Sequence, residues 1–563
     1  MRHGGEATFD SGALSTAFAR ETVLAEAAKR GCPHAARAGN LAPGTLLFDY
    51  TPPERLPEDQ ANSEKSFAAM RLTLERLADK IASEGLSTDP ALDNTELPAG
   101  YTYLGQLIAH DMMRSRRFEA TEMRPVSSYV GDTTPGLDLD CIYGEGPDRN
   151  ALYYASSPVT AAGRRYMLRL GRVSPVGFKF NGKPVFSGEA EDIPRAPVCN
   201  FIAGEHDRAA TFEPLIADTR NEDNLVLSQM VVLFHKFHNK VAAAGAAEWG
   251  EETFNRARAI VELTWRAIIR DDFMPRLLDP NVCAFYEALI DNGVSGDAPK
   301  ALVDFGRRLK AREIGLPLES TFAGFRFGHS MVRPHYSLND VFVPSGTAPV
   351  VPDLDAIMAF QGLTGGRHLP MTADWVIDWR RFFQLNAQDD ISDDGVVNPA
   401  RKIRPMMPSR LAGDATKSDA DRLALRTLLK GYAFRLPTGQ AVAKRLGISQ
   451  VVPAHAIRAA LSRPVNEFQP YQELDAAQID LLSERTPLFY YVLVEAEHFA
   501  GGRRLGPAGS HLAAIPMVQG LMAADAARDA AASADARTVG LTVPRTMRDL
   551  VLLVDPKAAG QPS

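Results

Sequence analysis

The sequence predicts a mainly α-helical protein, built as a single large helical domain with little β structure. Three observations predict it. Apolar residues recur at helical spacing in long runs, at 64–84, 101–113 and 225–241. The chain has 563 residues, 45% hydrophobic and 23% charged, an ordinary globular balance with ample material for a core. Strand and turn signals gather in one stretch, about 160–216, around Asn181-Gly182 and Ser187-Gly188.

Residues 1–62 read as an irregular arm wrapped on the body, interrupted by Leu41-Ala-Pro-Gly44 and by Pro52, Pro53 and Pro57. The helical domain spans 63–533, and 534–563 reads as a loose C-terminal tail. At its start, Phe67, Met70, Leu74, Leu77 and Ile81 form one stripe of an amphipathic helix. The run from Tyr101 to Met113 follows, with Tyr103, Leu104, Leu107, Ile108 and Met112 at helical spacings. Gln106 and His110 stand four apart and share a face, while Asp111 points about 100° away.

From Leu225 to Val241, two adjacent apolar stripes describe a helix buried on most sides: Leu227, Val231, Phe234, His238, Val241 and Val226, Met230, Leu233, Phe237. Asn221 to Asn224 supply caps and negative charge at its start. Arg220, just before them, gains nothing from the helix dipole. It either reaches solvent or serves a function. Residues 255–293, 353–385, 422–446, 475–500 and 511–532 also read as helical, with Trp375 and Trp379 as core; Asp389–Ala400 is an acidic loop.

Composition excludes several classes. The net charge of −7 gives no basic footprint, so nucleic acid is not the expected partner. Cys32, Cys141, Cys199 and Cys283 show no paired spacing, which argues against a disulfide scaffold or a thiolate zinc site. No apolar run is long enough to cross a bilayer, and no signal peptide is read at the N-terminus. The expectation is a soluble intracellular protein, or one exported by a route without an N-terminal signature.

Two stretches carry chemistry. In Gly131–Gly144, Thr134, Gly136, Asp138 and Asp140 are spaced by two, which sets alternate groups on one side of an extended loop. Two carboxylates, a hydroxyl and a free carbonyl suit calcium, with Asp111 completing the set. A polar turn with a capping aspartate is the alternative. In Phe322–Pro334, Arg326, His329 and Arg333 align by steps of three and four on a helix. Gly324 and Gly328 clear a row beside them, letting a flat group approach. That pattern suits a haem, nitrogen to iron and guanidinium to propionate. A glycine-bent helix with surface arginines is the alternative.

Taken in order, these pieces resemble the haem peroxidase family that includes the animal peroxidases and cyclooxygenases, and within it the bacterial members. The resemblance spans roughly 100–530. Gly-Gln-Leu-Ile-Ala-His110-Asp111 looks like its distal motif, which implies His110 as distal histidine, Gln106 as its polar neighbour and Asp111 as a calcium ligand. The loop with Thr134, Gly136, Asp138 and Asp140 looks like its calcium loop. Ala-Asp-Thr-Arg220 resembles the segment carrying the distal arginine. Phe-Arg-Phe-Gly-His329 resembles the proximal motif, which implies His329 as iron ligand. Thr427 to Gly431 with Leu436-Pro-Thr-Gly-Gln440 resembles the segment behind it.

The resemblance implies haem b, calcium, hydrogen peroxide and a small aromatic or halide electron donor, oxidised through a ferryl intermediate. His110 is the expected base and acid, and Arg220 the electrostatic stabiliser. Three positions depart from the family. Ala109 cannot form the first haem ester; Asp223, preceded by Glu222, leaves one ester link open. Thr427 stands where the family has an asparagine behind the proximal histidine, which affects iron electronics. Two rival readings are a fatty-acid dioxygenase of the cyclooxygenase and diol-synthase type, and a catalytically silent haem- and calcium-binding protein. The first needs a tyrosine three residues before the proximal histidine; here that residue is Arg326.

Overall fold

The computed structural model describes residues 44–58, 63–84, 89–113, 121–129, 136–156, 165–173, 179–180, 183–184, 191–198, 211–291, 299–312, 314–341, 357, 371–393, 395–412, 422–464 and 473–559. Helices dominate it, and strand is confined to short two-stranded ribbons. Among the described residues no helix is long and apolar enough to cross a membrane.

The helix Leu225–Trp249 is the axis of the molecule. The Asn224 side chain caps it by accepting from the Leu227 amide at 2.9 Å, and Gly250, at φ 53°, ends it. Both apolar stripes are buried. Its polar residues on the buried side are used to hold neighbours. His235 and His238 bind the carbonyls of Arg169 and Tyr166, at 2.9 and 2.8 Å, and the Asn239 amide brackets the peptide groups of Leu168. These bonds fasten the ribbon Tyr154–Ser156/Arg165–Leu168 to the helix.

Around this axis lie the helices Gly100–Met112 and Thr253–Ile268. A π-type turn, Ile269–Phe273, follows the second and turns Asp272 inward. Asp272 accepts from the Tyr101 hydroxyl at 2.8 Å, the Arg276 side chain at 2.7 Å and the Met547 amide at 2.8 Å. The helix Ser63–Ile81 buries Phe67, Met70, Leu74, Leu77 and Ile81 and packs on Leu423–Ala433. The Leu436-Pro-Thr-Gly-Gln440 pattern has a structural use. Thr438 caps the helix Gly439–Arg445, Gln440 binds Thr486, and Gly439 lies where a Cβ would meet the Tyr491 ring at 1.9 Å.

Three expectations from sequence are corrected. Residues 371–385 form only the short 3₁₀ turns Ala373–Trp375 and Trp379–Arg381, not an α-helix; the Asp378 side chain caps the second by accepting from the Arg380 amide. Most of 353–370 lies outside the described residues. The stretch from 534 is no loose tail. The helix Met547–Val554 buries Met547, Leu550 and Val551 against the long central helix. Finally, Arg333 does not continue the line of Arg326 and His329. Gly324–Met331 is a 3₁₀ helix, and Val332 already has extended backbone ahead of the Arg333-Pro334 pair.

Arg333 instead enters a buried ionic network. Asp93, on the strand Asp93–Pro98, holds Arg333 at 2.8 Å and Arg401 at 2.6 Å. Glu84 takes Arg401 and Arg404 at 3.3 and 2.8 Å, and Asp393 also pairs with Arg333. The network stitches the end of the first helix, the ribbon Asp93–Pro98/Pro399–Arg401 and the 3₁₀ segment together. Removing one partner strands buried charge, at a cost of about 3–5 kcal/mol. Asp93→Ala is therefore expected to lower unfolding stability by that amount in a denaturant titration. A loss below about 1 kcal/mol would show that the network is not a structural joint.

Candidate functional site

The site begins where the turn before the central helix meets the C-terminal end of the helix Gly100–Met112. Asp218 caps this turn, Thr219–Glu222, by accepting from the Arg220 amide at 3.0 Å. Arg220 then folds back across the helix end. Its Nη1 donates to the Met113 carbonyl at 2.7 Å and its Nη2 to the His110 carbonyl at 2.9 Å. Nε and Nη2 also hold Asp218, the latter at 2.6 Å. The last carbonyls of a helix lack partners and attract positive charge, so Arg220 satisfies both demands.

Asn221, the next residue, fixes His110. Its Nδ2 donates to the Cys141 carbonyl at 2.9 Å. That orients the amide, so Oδ1 faces His110 Nδ1 at 2.9 Å and must accept from it. The proton therefore sits on Nδ1, and Nε2 carries the lone pair. Nε2 lies 3.9 Å from the Asp223 carboxylate. Burial is the main force lowering the pKa of His110 to about 4, with the Arg220 charge adding to it, so the ring is neutral. Gln106 is fixed in the same way. Asn224 Nδ2 donates to its Oε1 at 2.9 Å, which turns its Nε2 towards Asp223 at 3.5 Å.

Of the two adjacent carboxylates, only Asp223 faces this pocket. Glu222 is buried and paired with Arg195 from the strand Arg195–Val198. The 3₁₀ segment Gly324–Met331 packs against the helix that carries His110. With three residues per turn, Arg326 and His329 fall on one face. Gly324 is pressed against Leu512, where a Cβ would come within 2.4 Å, whereas a Cβ on Gly328 would meet nothing. The sequence expected both glycines to clear space; one does, and the other permits close helix packing.

His329 is half-buried. Its Nδ1 is buried without a hydrogen-bond partner among the described residues, which leaves Nε2 as the exposed nitrogen. Burial first, then the charge of Arg326, lowers its pKa to about 3. Arg326 donates from Nε to the Thr321 carbonyl at 3.0 Å, and its charge is felt by both histidines. Burial brings its own pKa down to about 10. Thr427 lies on the helix Leu423–Ala433, but its hydroxyl donates to the Leu423 carbonyl at 2.8 Å and not to His329.

On the other side of the Gly100–Met112 helix, Asp111 is buried. It accepts from Trp265 Nε1 at 2.9 Å through Oδ2, and its Oδ1 has no partner among the described residues. Burial, then the nearby charges of Asp138 and Asp140, hold its carboxyl well above the usual range. Burial likewise raises Asp140 to about 7, aided by Asp138 and opposed by Arg258 at 3.2 Å. Leu139, between them, has the left-handed φ of 55° and starts the turn Asp140–Tyr143. A Cβ on Gly136 would lie 3.2 Å from Asp138 Oδ2, so these two residues are also together. Thr134 lies outside the described residues. No three of the described His, Cys, Asp and Glu side chains converge at metal-ligand geometry.

Residues 185–418 match the family model described as animal haem peroxidase. That stretch is less than half the chain. It includes Arg220, Asp223, Arg326 and His329 but not Gln106, His110, Asp111 or Thr427. No curated protein matches the sequence. Among solved structures, a fatty acid alpha-dioxygenase from Oryza sativa matches at 14% identity, covering 90% of this chain and 80% of that one, with a TM-score of 0.54. Peroxidase A from Dictyostelium discoideum matches at 13% identity over 93% and 94%, with a TM-score of 0.49. The rice structure shows that the mainly helical fold is a known one.

Sequence reasoning missed Asn221 as the partner of His110, reading it only as capping material. The signal lay in the Asn221-Glu222-Asp223-Asn224 run, which holds more polar side chains than one helix start needs. Asn221→Leu is expected to free the His110 tautomer. In ¹⁵N spectra of histidine-labelled protein, His110 should shift from a single Nδ1–H form to a mixture. An unchanged spectrum would mean that another group sets the proton.

Proposed function

We propose that this protein is a haem-dependent peroxidase that reduces hydrogen peroxide and oxidises small aromatic or halide donors. The observation that carries the proposal is the pair of imidazoles on touching segments. His329 has an unpartnered buried Nδ1, and the His110 ring is locked by Asn221 in the tautomer a base requires, with the lone pair on Nε2.

The residues fit a haem. His329 has an orphaned Nδ1 and an accessible Nε2, and Gly328 leaves room beside it. His329 Nε2 would hold the iron, which supplies redox chemistry and a position for peroxide. His110 Nε2 then accepts the proton of the nearer peroxide oxygen and returns it to the departing one. Asp223, 3.9 Å away, favours the imidazolium formed in between. Gln106, itself oriented by Asn224, donates to that carboxylate at 3.5 Å. An ester link at Asp223 would remove that charge, so in this reading the haem is held without one; Glu222 is engaged by Arg195.

The arginines divide the expected work differently from the sequence reading. Arg220 is held by Asp218 and two carbonyls, so it acts mainly by keeping His110 neutral and in place. Arg326 is the second positive charge acting on both histidines, and in this reading it stabilises developing negative charge. Arg333 is committed to Asp93 and Asp393 and is not available to a propionate. Thr427 does not supply the bond behind His329 in this arrangement.

Two substitutions test the reading. Purified protein supplied with haem should show a Soret band, and His329→Ala should lose it. His110→Ala should keep the band while its reaction with peroxide slows roughly 10²–10⁴-fold. A His110→Ala protein as fast as the parent would defeat the assignment. The fold shared with the rice fatty acid alpha-dioxygenase keeps a fatty-acid dioxygenase as the second reading. Arg326 stands where that chemistry would need a phenol. Oxygen uptake on adding palmitate separates the two.

Calcium is proposed beside Asp111. Asp138 and Asp140 act on the buried Asp111 carboxyl, whose Oδ1 has no partner among the described residues, which supports it. Oxygen donors of this kind suit a hard cation. Calcium should raise the thermal midpoint of the protein and a chelator should reverse the effect. Asp111→Asn should remove the response; a midpoint indifferent to calcium would exclude the site.

A further inference from the structure

A cleft of about 380 Å³ opens between the arm and the turn after the helix Leu423–Ala433. Its volume is that of a small-molecule pocket, roughly 300–1,000 Å³. Arg55, Glu58 and Arg435 supply its charge, and Leu56, Met123 and Leu436 its apolar wall.

Not every charge is paired. Arg435 is claimed by Glu58 through two hydrogen bonds of 2.7 Å, and also donates to the Arg124 carbonyl at 3.2 Å. Arg55 has no carboxylate at ion-pair distance among the described residues, and its buried Nε has no hydrogen-bond partner. Its neighbour Glu54 turns to Arg445 instead, at 2.7 Å. The buried carboxyl of Glu319 feels the Arg55 charge, but no described carboxylate pairs with Arg55, so its guanidinium stands unpaired at the cleft. Arg435 also has a left-handed φ of 53°, a strained backbone for a residue with a side chain and a feature that gathers at ligand sites.

The cleft continues inward. Leu56, Tyr432 and Leu436 also line a narrow crevice that reaches Phe322 and Ala323, just before the His329 segment. Tyr432 donates its hydroxyl to the Pro57 carbonyl at 2.9 Å, so its polar end is already satisfied and its ring is left as wall.

We propose that this cleft binds a small monocarboxylate with a flat apolar body. The carboxylate lies on Arg55, and the body lies against Leu56, Met123 and Tyr432. A guanidinium presents paired donors that match a carboxylate. One unpaired guanidinium suits one carboxylate, and the crevice behind it favours an apolar end. The site does not depend on haem or on the peroxidase reading.

Benzoate is the probe, titrated into the full-length, haem-loaded protein with saturation-transfer NMR as readout and the Soret band followed in parallel. Benzoate should bind saturably without moving the Soret band, and neutral benzamide should bind at least about tenfold more weakly. Arg55→Gln should weaken benzoate by a similar factor, as should Met123→Glu, which adds a like charge at the wall. Thermal midpoints near the parent's confirm that both variants fold. Absence of saturable binding, equal affinity for benzamide, or binding that survives both substitutions would overturn the proposal. Benzoate that moves the Soret band and ignores Arg55 lies in the haem pocket, which also overturns it.

Discussion

Arg220, Asn221 and Asp223, with the Asn224 cap behind them, hold one helix end in register, and the rest of the site follows from that contact. Arg220 takes the loose carbonyls of His110 and Met113, Asn221 takes the imidazole of His110, and Asn224 takes the amide of Gln106. Backbone groups at a helix terminus are bound to seek partners. Here the partners arrive from the segment that also starts the central helix. His110 and the long central helix of the core are therefore positioned by the same turn.

Much of the architecture was legible because it depends on periodicity. Two apolar stripes on Leu225–Val241 and one on Phe67–Ile81 can only be buried by helices, and they are. The His110–Asp111 division was legible too, since adjacent helical residues point apart: one faces the space near Asp223, the other Trp265. What could not be read was the pairing of charges. Asp93 and Arg401 lie 308 positions apart, and nothing local to Arg333 says that Asp93 awaits it. The 3₁₀ geometry after Gly324 was equally hidden, because Arg326 and His329 align in either kind of helix and only Arg333 tells them apart. The helix Met547–Val554 was lost to a prior about chain ends, although Met547, Leu550 and Val551 carried a helical pattern.

Buried charge is handled in two ways in this chain. In the network around Asp93 every group has an opposite partner, which suits a structural joint. Around Asp111 carboxylates are gathered and its Oδ1 has no partner among the described residues, and the charge of Arg326 acts on two imidazoles held neutral by burial. Such imbalance costs folding energy, so it marks places where something other than the fold is being served.

Leu139 shows how closely these places are joined. Its left-handed backbone separates Asp138 from Asp140 and, two residues on, delivers the Cys141 carbonyl that orients Asn221. One peptide thus links the acidic loop to the nitrogen that must stay unprotonated on His110. If the loop slackened, the imidazole would remain in its cavity but its proton could migrate to the wrong nitrogen. Under the proposed function, peroxide chemistry would then fade while the protein stayed folded, a failure that measurements of unfolding alone would overlook.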